Sequence, residues 1–419
     1  MRAEPQLGDD APWRRRFRAP TESPSVARAN PQRGLVSRNR SGVAQLYAWD
    51  VASGELRQLT HTPKGRPWGM LSADGRFVYY LQDTDGNEIG HVVRVPWEGG
   101  QAVDTTPDVA PFASIGSSVS LDGRRLGIMV ADQAGFHLQI VDDVDGEPRA
   151  PREVYTSHGI TFGPTFSADG TLVVLGSSER SGGKLQFALL ALDTASGETL
   201  GELWDGPDTS LSAGRFSSVP GDTRLLASSN RTGVEQPLIW DARSGARRDF
   251  VLGDMQGSVE AWDWSPNAEL VLLGNVHQAV TRIYLYNLAD DTMRPLELGG
   301  TVLGASFIDD DELLVVWSDA ANPIQSIGVN VHSGERTRVI FPAPDVPPGI
   351  AWRSVSFASS DGQTIQAWLA TPLGNGPFAT ILETHGGPTA VQTEVFDAGA
   401  QMWLDHGFAF MSVNYRGST

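Results

Sequence analysis

The chain has 419 residues, more than one ordinary domain holds, so two are expected. It contains no Cys, which excludes a disulfide framework, a thiolate zinc site and a Cys nucleophile. Its formal net charge of −18 argues against nucleic acid or an anionic membrane as partner, and no apolar run approaches the roughly 18 residues of a spanning helix.

Residues 1–19 come first. Arg14, Arg15, Arg16 and Arg18 have no apolar stretch after them, so this is not a secretory signal. A short solvated helix or arm on an acidic body is expected. The lack of Cys fits a reducing compartment, and a cytoplasmic location is expected.

Residues 20–341 repeat. A Ser-x-Asp-Gly-like turn followed by an alternating apolar run occurs at Asp74, Asp122 and Asp169. Weaker copies lie at Asp222, Asn267 and Asp310, and a degraded one at Asn30, at steps of roughly 43–53 residues. A second turn, often reading SGE, follows each at about 24 residues: Gly54, Gly99, Gly146, Gly197, Gly245, Asp291 and Gly334. Each turn between alternating runs is a hairpin signal. Two hairpins per repeat give four short strands, and units of this length make a β-propeller, here of seven blades. One such sheet cannot bury its faces alone, and twelve Trp and sixteen Phe suit packing between blades. The Trp240-Asp241 pair lacks the Gly-His partner of a WD40 blade. The turn Asp residues are read as bonding their own backbone, not calcium. The remaining His residues (61, 91, 137, 158, 277, 332, 406) show no metal-ligand spacing, and no metal or cofactor is expected.

The Pro-rich stretch FPAPDVPPG, residues 341–349, breaks the repeat, and residues 342–350 are read as a linker. Residues 351–419 then change character. Trp352, Val355 and Phe357 precede an Asp361-Gly362 turn, and Ile365, Ala367 and Leu369 follow it, as in a hairpin. FATILETHGG reads as a buried strand. Residues 394–407 read as an amphipathic helix with Phe396, Ala400 and Trp403 on one face and Gly407 as its stop. FAFMSVN is another apolar strand. Strands alternating with a helix announce an α/β sheet, here with too few strands to be complete.

The seven repeats, the linker, His385-Gly386-Gly387-Pro388 and Asn414-Tyr415-Arg416-Gly417-Ser418 together resemble the S9 (prolyl oligopeptidase) family of serine peptidases, and within it the acylaminoacyl-peptidase type. The resemblance covers the chain from about residue 20 onward. It implies a mainly β fold, a seven-bladed propeller followed by the start of an α/β-hydrolase domain. It implies hydrolysis of short peptides, with the propeller gating access and peptides as the partners. In such hydrolases the loop after this strand supplies a backbone N–H to the oxyanion hole. The resemblance assigns that donor to Gly387, with Gly386 shaping the turn. His385 orients the loop, Pro388 supports it, and Tyr415 and Arg416 pack beneath the site or line it.

One departure is large. The nucleophile elbow G-x-S-x-G occurs nowhere in the 419 residues. GSSVS at Gly116 and GASFI at Gly304 fail at the final Gly and lie inside propeller repeats. The family's Ser, Asp and His are therefore expected beyond Thr419, and this chain by itself is expected to be inactive. The alternative is a propeller binding module carrying a non-functional hydrolase stub.

Overall fold

The computed structural model describes residues 7–387 and 390–418. Seven antiparallel four-strand units follow one another from Glu22 to Phe341. The first spans residues 22–58, the fourth 161–203, the fifth 211–249, the sixth 258–296 and the seventh 301–341, each with its strands in sequence order.

The turns that mark the repeat are built as the sequence implies. Ser72, Ser120, Ser167 and Ser265 are buried. Each hydroxyl accepts the N–H five residues on, at 2.9–3.0 Å. Each donates to the side chain two residues on: Asp74, Asp122, Asp169 and Asn267. Those side chains accept the N–H a further two residues on, all at 3.0 Å. A turn side chain that satisfies nearby backbone donors explains why this motif recurs. The second turn works likewise. Asp50, Asp193, Asp241 and Asn330 each accept the N–H three residues on at 2.8 Å.

Packing closes the ring. Buried apolar clusters sit between every pair of neighbouring blades, first with second through sixth with seventh. Trp97, Trp240, Trp264 and Trp317 each fill one of these joints. The last joint is Phe341 of the seventh blade against Val36, Trp49 and Val51 of the first, with the Trp49 and Phe341 rings 5.0 Å apart. Among the described residues no strand is exchanged across it, because both blades are made of their own four strands. Just past the end of the first blade's first strand, Arg28 forms a two-pronged ion pair with buried Asp263 of the sixth blade. Asp263 also accepts the Phe307 N–H at 2.9 Å.

One joint departs from the simple repeat. The second and third blades form a single eight-stranded sheet. The outer strand of the second blade is only Val103–Asp104, paired with Val93 and Arg94. That leaves Ile89 and Gly90 an open edge, which Ala113 and Phe112 of the third blade occupy.

Beyond the linker lies a four-stranded mixed sheet in the order Arg353–Ala358, Thr364–Ala370, Ala409–Asn414, Thr380–Thr384. The last two strands are parallel, joined through the helix Ala398–Asp405. Two expectations are corrected. The strand at 380–384 is an exposed edge, not a buried strand, and Leu382 is 65% exposed, because it pairs on one side only among the described residues. The helix begins at Ala398, not at 394. Asp397 caps it by accepting the Ala400 N–H, while the Glu394 and Phe396 N–H groups bond to Ala279 and Ser318 of the propeller. Gly407 does end it, at φ +81.

The arm is also not simply solvated. The helix Pro12–Phe17 packs on the helix Ala398–Asp405, and Arg16 is only 6% exposed. Its guanidinium donates to the Pro347 and Pro348 carbonyls at 3.0 and 2.8 Å and pairs with Asp405 at 2.5 Å. Gln401, fully buried, bonds Ala320 of the seventh blade and both polar backbone groups of Ile350. Around these, Ala279 and Ala320 of the propeller meet Trp352, Trp368, Ala400 and Leu404.

The turn carboxylates make acid sensitivity predictable. Backbone N–H donation from Ser53 and Ser196 holds Asp50 and Asp193 below the ordinary carboxylate value. Burial alone would raise Asp74 and Asp169. The Ser72 hydroxyl with the Arg76 N–H, and the Thr171 N–H with the Ser167 hydroxyl, outweigh it and hold both low. A group depressed in the fold stabilises it above the unfolded value, about pH 4, and loses that contribution as pH falls through the folded value. Thermal midpoints should therefore hold from pH 7 to about 5 and fall steeply below about 4. A midpoint unchanged at pH 3 would contradict this account.

Candidate functional site

The site is the turn at the open end of the strand Thr380–Thr384. His385 follows the strand, and its ring stacks on Tyr415, with centroids 4.4 Å apart and planes at 22°. Tyr415 follows the neighbouring strand Ala409–Asn414, so parallel pairing of the two strands brings both turns to one end of the sheet. The Tyr415 hydroxyl lies 2.9 Å from the His385 carbonyl and 3.0 Å from that of Gly387, beneath the loop. Gly387 has φ +66, a conformation that a side chain disfavours. A Cβ at Gly386 or Gly387 would meet nothing within 4 Å. The space above the turn is therefore open, and the need for glycine at 387 is conformational within this chain.

His385 and Ser418 are also brought together, with Nε2 2.8 Å from the Ser418 Oγ. The pair looks like a base and a nucleophile. Its other contacts are structural. Ser418 donates to the Tyr415 carbonyl at 2.7 Å, and the Nδ1 of His385 faces the Gly386 carbonyl at 3.1 Å, where a triad would place a carboxylate. The pair ties the two turns to each other. The sequence signal for this partnership was the NYRGS motif, which did not say what its Ser would touch.

Asn414 completes the support. Its side chain accepts the Gln392 N–H at 2.8 Å and donates to Gln392 O and to Gln366. Arg416 takes a different direction: it forms an ion pair with Asp361 at the hairpin turn, away from the His385 loop. The Gln363 N–H and the Ser359 hydroxyl, with Arg416, hold the Asp361 carboxyl below its ordinary value. Pro388 lies outside the described residues. Among the described residues no group of three side chains is arranged to hold a metal ion.

The chain thus joins a propeller, through a linker, to a mixed sheet with its strands ordered one-two-four-three and a glycine turn after the third. Comparison with known proteins agrees. No family model matches the chain. Dipeptidyl aminopeptidase BIII of Pseudoxanthomonas mexicana is 27% identical over 369 residues, which cover 81% of this chain and 51% of that protein. The chain thus spans about half the length of this relative. A prolyl endopeptidase structure matches with a TM-score of 0.78 at 17% identity, over 98% of this chain and 64% of its own. A puromycin hydrolase matches with a TM-score of 0.78 at 15% identity, over 100% of this chain and 70% of its own. The protein is related to the S9, or prolyl oligopeptidase, family of peptidases.

Proposed function

We propose that this chain is the propeller and the first part of the catalytic domain of an S9 serine peptidase that hydrolyses short peptides, of the acylaminoacyl, oligo- or dipeptidyl type. The observation that carries it is the His385–Gly387 turn. It is clamped from below by Tyr415, holds Gly387 in a left-handed conformation and leaves open space above. Gly387 supplies an oxyanion-hole N–H, and Gly386 shapes the turn. His385, Pro388 and Tyr415 support the loop, while Arg416 braces the neighbouring hairpin turn. A Ser activated by a His, both beyond Thr419, attacks the peptide carbonyl, and the propeller admits only short or unfolded chains. This chain by itself does not turn over substrate. One observation favours a second reading, a binding propeller with an inactive stub: no G-x-S-x-G occurs in the sequence.

Two measurements decide. The intact mass of the native polypeptide is expected well above 45.1 kDa. That polypeptide should hydrolyse a peptide anilide and be silenced by a serine-directed phosphonate, while the 419-residue chain does neither. A native polypeptide that fails to react with the phosphonate would leave the binding module as the function. Phosphonate-sensitive hydrolysis by the 419-residue chain would overturn the placing of the nucleophile.

A further inference from the structure

The second strand of each blade ends on the face that carries the α/β sheet, as Ser318 and the turns at Ala279 and Ala320 show. The innermost strands run the other way, so their C-terminal ends open on the opposite face. There they surround a cavity of about 320 Å³. Among the described residues its walls include Arg28 and Arg215 and no Asp or Glu, in a chain whose net charge is −18.

The two arginines are not equivalent. Arg28 is consumed by its two-pronged pair with Asp263. Asp263 also accepts the Phe307 N–H, so its acceptor capacity is largely used. Arg215 reaches the same carboxylate only at 3.9 Å, and its side chain is 63% exposed. Its backbone is held in place, because the Trp264 indole donates to the Arg215 carbonyl at 2.9 Å. The Ser118 hydroxyl on the same wall is buried and makes no hydrogen bond within the described residues. An exposed guanidinium on an anchored backbone and a hydroxyl with no partner among the described residues suit a planar anion.

We propose that this cavity is a carboxylate-binding site whose occupant is the C-terminal carboxylate of a peptide. The Arg215 guanidinium holds the carboxylate and Ser118 donates to it, while Arg28 stays paired with Asp263. The choice of a peptide rests on the peptidase reading above; the recognition of a carboxylate does not.

Calorimetry on the 419-residue chain tests this with three probes: N-acetyl-trialanine as free acid, the same peptide as C-terminal amide, and acetate. The free acid should bind at least about 10-fold more tightly than the amide, and Arg215→Ala should remove that difference; tenfold is what one lost charge-assisted contact gives. Arg215→Lys should restore part of it, and raising the ionic strength should weaken it. Equal binding of acid and amide, no binding of the acid, or an undiminished preference in Arg215→Ala would each overturn the site. Acetate binding as tightly as the peptide acid would overturn the peptide as occupant. None of these readouts needs turnover, so loss of the peptidase reading and loss of this site are distinguishable.

Discussion

In the whole protein, Gly387→Ala is expected to lower kcat by about 10²–10³-fold while changing KM little, as for loss of one oxyanion donor. The structure says how. Residue 387 sits at φ +66, where a Cβ costs about 1–2 kcal/mol, so alanine pulls the backbone toward negative φ and turns the N–H away from its aim. Nothing in the surrounding chain clashes with the added methyl, so the variant should fold. The methyl also enters the open space that a substrate carbonyl would need. Stopped-flow or steady-state rates on a peptide anilide, beside a thermal midpoint, separate these effects. An unchanged kcat would place the donor elsewhere, and a collapsed midpoint would mean that the loop is a folding element first.

Arg16→Ala is expected to cost about 2–4 kcal/mol, the range for breaking a largely buried, multiply bonded charge. Pro347 and Pro348 have carbonyls to satisfy and no N–H to offer, and Arg16 supplies the donors while Asp405 balances its charge. Arg15 adds a bond to the Asp345 carbonyl at 3.2 Å. Removing Arg16 frees the linker and one end of the helix Ala398–Asp405 together. A lower denaturation midpoint and new protease cleavage within residues 342–350 are the expected results. Arg16→Lys should recover only part of the loss, because a point charge cannot serve the carbonyls and Asp405 at once. A midpoint and cleavage pattern equal to those of the parent would show that the arm is dispensable.

The repeat was legible because its turns demand particular chemistry. A Ser hydroxyl accepting an N–H five residues on, and an Asp accepting one two residues further, leave the same letters in blade after blade. The loop His385–Gly387 was legible for a related reason, since a left-handed position writes itself as glycine. Other features depend on partners far away in sequence and left no local mark. Arg16 looked like a solvated cation because its acceptors lie more than 300 residues on. The strand at 380–384 carries an apolar sequence, yet its burial depends on what lies beside and above it. The direction of Arg416 was hidden likewise, being fixed by Asp361, 55 residues earlier. The merging of the second and third blades follows from the shortness of one outer strand, and strand length is what turn signals specify least.

That merged sheet has a consequence for how the ring can be divided. At six of its seven joints the neighbours share side-chain packing and at most isolated backbone bonds, such as the Leu211 N–H to Phe187 and the Val259 N–H to Glu235, and no ladder among the described residues, so a whole blade could be added, lost or moved there without splitting a sheet. Between the second and third blades the ladder runs through, by way of Ile89 with Ala113 and Gly90 with Phe112. Dividing the ring between those two blades would split a sheet, as dividing it elsewhere would not.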